Sequence, residues 1–269
     1  MGSTLFIVWR ETVEAMLVVG ILHSWLKFND VGGTGLRALW LGVACGVGLA
    51  GALGWVMVAA QGELSGQALE WFQIGMLLVA AGLIVQMVLW MRRSGAGMRQ
   101  SLHQNLALAV KRSGLLGIAV VAALAIAREG AEAAVFLYGA SLEPGGTAGL
   151  VAGAILGFAL AGLTAWALGR GLRFLDYRRF FLVSGWMLLL FALALLVSAV
   201  DRLIGAGLLP ALLDPLWDSS WLLDDNRRVG SVLAALIGYR ARPSLMLVIV
   251  FTLYWLGLLW AMRPAKRHA

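Results

Sequence analysis

Apolar residues along this chain gather into seven runs, each long enough to cross a hydrocarbon core of roughly 30 Å, for which a helix needs about 20 residues. They lie near Thr4 to Leu26, Leu36 to Ala60, Ala68 to Met91, Leu115 to Ser141, Ala148 to Leu168, Phe180 to Val200 and Ser244 to Met262. The pattern predicts an all-α polytopic membrane protein. The first run follows no basic leader and holds Arg10, Glu11 and Glu14, so it reads as a retained helix and not as a cleaved signal.

Composition agrees with lipid as the solvent. The chain is 61% hydrophobic and 13% charged, against about a quarter charged in ordinary soluble domains. The net charge of +7 would suggest nucleic acid in a soluble protein. Here the informative quantity is where the basic residues sit relative to the spans. Lys27, Arg37, Arg92, Arg93, Arg99, Lys111, Arg112, Arg170, Arg173, Arg178, Arg179, Arg263, Lys266 and Arg267 fall in segments that share one side, which is therefore cytoplasmic. The connections around Glu63 and Glu143 have none. The long segment between helices 6 and 7 carries Arg202, Arg227, Arg228, Arg240 and Arg242, offset by Asp201, Asp214, Asp218, Asp224 and Asp225. The expected orientation is N-out and C-in. The sole cysteine, Cys45, lies in apolar helix 2 and excludes a disulfide within the chain.

The chain also resembles itself. Arg10-Glu11-Thr12-Val13-Glu14-Ala15 returns 118 residues later as Arg128-Glu129-Gly130-Ala131-Glu132-Ala133. Helix 2 has small residues every fourth position at Ala38, Gly42, Gly46, Ala50 and Gly54; helix 5 has them at Gly145, Gly149, Gly153, Gly157, Ala161, Ala165 and Gly169. Such ladders let backbones approach closely in lipid, which makes helices 2 and 5 candidate central packers. Three helices per copy is an odd number, so the second copy enters from the opposite side. The expected plan is one membrane domain over 1–269. It holds a 3+3 inverted repeat (about 1–93 and 113–205), a cytoplasmic loop (about 94–112), an outer-face segment (about 206–243), and a seventh helix with its tail (about 244–269). Transporters built this way hold substrate near the midplane, at the repeat interface. Pro210, Pro215, Trp217 and Trp221 suit the outer-face segment to an interfacial location.

Glu11 and Glu14, like Glu129 and Glu132, are three residues apart and so share a helix face. Both motifs fall a few ångströms to the outer side of the midplane, at a rise of about 1.5 Å per residue, so the four carboxylates can converge. An ionised residue at mid-span costs about 2.5–3.5 kcal/mol, and four Glu against two Arg leaves a deficit of positive charge. Carboxylate oxygens are hard ligands for cations. Arg10 and Arg128 would orient them through charge-assisted hydrogen bonds. The competing structural reading is that each Arg merely clasps its own Glu.

At these motifs the chain resembles the high-affinity iron permease family, which includes oxidase-dependent fungal permeases and bacterial permeases of the EfeU type. The resemblance covers nearly the whole chain. It implies seven spans, N-out, with iron as the cargo and Glu11, Glu14, Glu129 and Glu132 on its path, oriented by Arg10 and Arg128. It also implies outer-face partners: a multicopper oxidase, or cupredoxin-like and peroxidase-like proteins. One departure is helix 3, where a Phe-Glu-Gly element of the family stands as Phe72-Gln73-Ile74, with Glu70 just before it. Gln73, Glu70 and His23 are weaker path candidates, His23 as a group that helps release the ion at the inner end of helix 1.

The sequence therefore reads as an inner-membrane iron permease, not an enzyme, with no permanently bound cofactor and Fe2+ or Fe3+ as cargo. No nucleotide-binding loop or conventional catalytic motif is evident. Three alternatives remain at this point. One is transport of another cation such as manganese or lead. Another is an intramembrane lipid-acting enzyme using paired Glu as acid and base. The third is a subunit that only anchors a periplasmic oxidase.

Overall fold

The computed structural model describes residues 2–29, 32–94, 98–142, 146–169, 177–221, 223–225 and 228–263. Within them the chain forms α1 (Gly2–Phe28), α2 (Gly32–Glu63), α3 (Gly66–Ser94), α4 (Met98–Ser141), α5 (Gly146–Gly169), α6 (Tyr177–Gly205), α7 (Arg228–Ile237) and α8 (Leu245–Ala261). Among the described residues there is no strand. Glu143, Gly145, Arg170, Arg173, Arg227, Lys266 and Arg267 lie outside them, as do the side chains of Arg93, Arg99, Lys111, Arg112, Arg178, Arg179 and Arg228.

Each apolar run is helical to within a few residues. Five helices are long and apolar enough to cross a membrane: those over Gly33–Glu63, Gly66–Arg92, Gly114–Ser141, Thr147–Ala167 and Leu182–Gly205. The first run differs because Arg10, Glu11 and Glu14 interrupt its apolar character, and α8 has only 17 residues. Two helical stretches were not expected. Residues 98–113, read from sequence as a loop, continue α4 backwards, as their Leu, Ala, Gln, Lys and Arg content favours. Gly114 separates them from the apolar part with φ 55° and ψ −130°, a conformation that a Cβ would oppose. The other stretch, α7, is too short to span. It belongs to the segment between α6 and α8, where Leu216 N–H donates to Pro243 O and Ser219 N–H to Ala241 O, each at 2.9 Å. Tyr239 Oη lies 2.9 Å from Ser219 Oγ, and Arg242 pairs with Asp218 at 3.0 Å.

The helices divide into two compact units that do not coincide with the two halves of the sequence. The first holds α1, α2, α4 and α5; the second holds α3, α6, α7 and α8. In the first, α1 packs on α4 and α5, and α2 packs on α4. Val18, Leu22 and Leu26 of α1 meet Leu39 of α2 and Ile118 and Ala122 of α4 in its apolar core. In the second, Leu193, Val197 and Val200 of α6 pack with Leu247 of α8. Trp186 stacks on Trp255 at 6.3 Å, and the Arg92 guanidinium sits 4.9 Å from the Trp186 ring centre.

The small-residue ladders mark the closest helix contacts. A Cβ added at Gly46 would lie 2.7 Å from Ala123 O, 2.8 Å from Ile126 Cβ and 3.0 Å from Ala127 N. One added at Gly157 would lie 2.5 Å from Leu5 O, 3.0 Å from Val8 Cβ and 3.0 Å from Trp9 N. Leu5, Val8 and Trp9 precede Ala123, Ile126 and Ala127 by 118 residues, the offset that separates the motifs. Gly46 on α4 and Gly157 on α1 are thus the same contact made twice. The ladders do not, however, make α2 and α5 central. Only 11% and 17% of their spanning stretches are buried, against 72% for α6, because each ladder occupies one stripe and leaves the rest of its helix facing outward.

Valine at Gly46 or Gly157 has backbone, not a flexible side chain, in its way. Overpacking of this kind costs about 1–3 kcal/mol, so each variant should unfold several degrees below wild type in a detergent melt. Gly48→Ala, with nothing within 4 Å of its added Cβ, should melt with wild type. Equal melting of all three would remove the close-contact account.

Candidate functional site: a carboxylate cluster between α1 and α4

In α1 the Arg10 side chain follows the helix to its neighbours. Its Nη1 donates to Glu11 Oε1 at 2.7 Å, and its Nη2 pairs with Glu14 one turn on. All three residues are buried, Arg10 to 1% exposure. In α4 the corresponding arrangement is more exposed. Arg128 Nε donates to Glu132 Oε1 at 3.0 Å, and the Arg128 side chain is 51% exposed.

The contact of α1 with α4 brings the motifs together. Carboxylate oxygens from Glu11, Glu14 and Glu129 all lie within 4.8 Å of one another. That spread matches opposite ligands across a hard cation, about twice 2.3–2.6 Å for calcium. The second oxygens of Glu11, Glu129 and Glu132 are buried and, among the described residues, accept no hydrogen bond. A buried carboxylate oxygen without a donor is costly, and an oxygen-seeking cation is one species that would satisfy several at once. Glu132, bound to Arg128 and outside the tightest trio, borders it.

The weaker candidates are His23 on α1 and Glu70 and Gln73 on α3. His23 is half-buried on α1, twelve residues past Glu11 and so about 18 Å along the helix. Glu70 is exposed near the start of α3, in the second unit. Gln73 accepts a hydrogen bond at its side-chain oxygen from Arg202 Nη1, and Arg202 Nη2 donates to Leu142 O at 3.3 Å. Sequence reasoning placed Arg202 in the outer segment; it belongs to α6 and is occupied by these acceptors. Reading the motifs alone also missed the support beneath the first. Trp9 Nε1 donates to Thr164 Oγ1 of α5 at 3.0 Å, one residue before Arg10. Tryptophan carries an N–H that seeks a partner when buried, but the partner lies 155 residues away and has no local signal.

Arg10 and Arg128 should differ in what they hold up. Removing one partner of a buried ion pair costs about 3–5 kcal/mol. Arg10→Gln is therefore expected to lower the melting temperature and membrane abundance well below those of Arg128→Gln, whose guanidinium is half open. Equal losses would mean that the two clasps carry equal structural weight.

Residues 1–265 match the Iron permease FTR1 family. The chain is 30% identical over 250 residues to a ferrous iron permease EfeU of Yersinia pestis, spanning 92% of this chain and 88% of that protein. It is 29% identical over 257 residues to the protein of that name from Escherichia coli O6:K15:H31, spanning 92% and 90%. No solved structure matches it. With five helices suited to crossing a membrane and bacterial relatives, it is an integral protein of the bacterial inner membrane. Over nearly its whole length, the chain belongs to the Iron permease FTR1 family, which carries iron across a membrane.

Proposed function

We propose that iron crosses the membrane through the four-Glu cluster, with Glu11, Glu14, Glu129 and Glu132 as successive or shared ligands and Arg10 and Arg128 as their orienting cations. The observation that carries this reading is the convergence of three carboxylate oxygens within 4.8 Å beside buried oxygens that accept no hydrogen bond. The donor set is all oxygen, suited to a hard or borderline cation, and ferrous iron is the cargo named for the relatives. The exchangeable contacts of the arginines keep the ion from being held too tightly to leave.

The same reading takes α1 to α6 and α8 as seven spans, N-out and C-in, with α1–α3 and α4–α6 as inverted repeats. The twin contacts of Gly46 and Gly157 support the repeat. They also constrain its motion. Each repeat grips the other through a glycine, α2 on α4 and α5 on α1, so wholesale rocking of one repeat against the other would have to break both grips. Movement of side chains within the cluster, or of helices that do not carry these grips, costs less. Iron would be delivered from the outer face by an oxidase, cupredoxin-like or peroxidase-like partner.

Radioactive iron uptake by cells expressing wild type or Glu132→Gln at equal membrane abundance, with and without reductant, tests the path. Wild-type cells should accumulate iron in the presence of reductant, and the variant should lose most of that uptake. Equal uptake by both would make the cluster structural. Excess manganese or lead that abolishes uptake as well as unlabelled iron does would change the cargo.

A further inference from the structure

We infer that Arg128 stands at the mouth of the route by which the cation reaches the carboxylates, and that the two motifs are unequal parts: a sealed frame on α1 and an open arm on α4. The inference rests on the carboxylate path proposed above.

The two arginines occupy equivalent places 118 residues apart, yet Arg10 is 1% exposed and the Arg128 side chain is 51% exposed. Lipid is a poor match for that opening, because a guanidinium at mid-span is costly in hydrocarbon. The helix around it makes the contrast plain. Leu116, Val120 and Leu124 climb α4 at four-residue intervals, all exposed and all suited to lipid. Arg128 is the next residue on that stripe, Glu132 beyond it is mostly covered, and Phe136 is fully buried. The stripe thus changes character at Arg128, where a charged group needs water.

The asymmetry has a local cause. The residue before Arg10 is Trp9, a large ring packed edge-on against Phe6 at 5.7 Å and tied to Thr164 of α5. The residue before Arg128 is Ala127, which has neither bulk nor a side-chain donor. The first motif is therefore walled in and pinned, whereas the second is left with room. Arg128 holds Glu132 at 3.0 Å, so a cation arriving from this side meets the guanidinium before the carboxylate it orients. Arg10 is closed in by its two glutamates and the surrounding helices.

Single cysteines in a Cys45→Ala background test this, using a charged, membrane-impermeant methanethiosulfonate on spheroplasts and on inside-out vesicles. Thiol reaction requires the thiolate and hence water, so Arg128→Cys should be labelled from the outer face at least about tenfold faster than Arg10→Cys or the lipid-facing Leu124→Cys. No labelling at 128, labelling no faster than at 124, or labelling only in inside-out vesicles would overturn the inference. Because cysteine could disturb folding, Arg128→Lys provides a second readout. It should raise the apparent KM for iron by a larger factor than it lowers the maximal rate, while Arg10→Lys lowers the maximal rate by the larger factor. The same change in both variants would also overturn it. Glu132→Gln uptake in the same cells separates the two levels. Normal uptake there sinks the carboxylate path itself, whereas lost uptake with an unreactive position 128 sinks only the access route.

Discussion

Charge held where there is no water dominates this structure. Each motif places three ionisable groups in a helix that otherwise reads as lipid-soluble, and the bilayer offers nothing to solvate them. The solution in α1 is internal: one guanidinium spans Glu11 and Glu14, and the three side chains shut one another away from solvent. Such a clasp needs neighbours close enough to exclude water, and that requirement reaches down to the backbone. α5 can lie against the first motif because Gly157 lets it touch Leu5, Val8 and Trp9, and α2 lies against α4 because Gly42 and Gly46 do the same.

Close approach explains why the compact units cut across the two halves of the sequence. A helix pair joined through glycine gains van der Waals contact over its whole stripe, which in lipid is a principal source of association. α1 finds that contact with α5, and α2 finds it with α4. Both pairs join one half of the chain to the other. The carboxylates converge because α1 and α4 are drawn together between them. Geometry at the cluster is thus set by residues outside it.

Most of the helical layout was legible in the sequence, because a run of some 20 apolar residues has few other structural options. The duplicated motif was legible too, since its two copies share both letters and spacing. What escaped reading depended on long-range partners or on mixed composition. Residues 98–113 carry enough charge to resemble a loop, and helix propensity decides their state once Gly114 lets the chain bend. The ladders of α2 and α5 identified the touching stripes but not what covers the opposite faces, so the central placement expected for these helices was wrong. The four glutamates could be grouped by depth and face; the unequal cover over Arg10 and Arg128 could not, because the motif letters are identical. Gln73 and Arg202 found each other across 129 residues, beyond the reach of any local pattern.

The bond between Trp9 and Thr164 bears on symmetry. A conductor built from two identical inverted halves would look the same from either side of the membrane, and its barriers to inward and outward passage would be mirror images. A single indole on one half, tied to a hydroxyl that has no counterpart opposite Ala127, lifts that degeneracy. In the reading proposed above, it makes the surroundings of the two motifs unequal without altering any of the four glutamates. On the path proposed above, divergence at one position before the motif makes the two sides of the cluster unequal, while the gradient of the ion sets the net direction of travel.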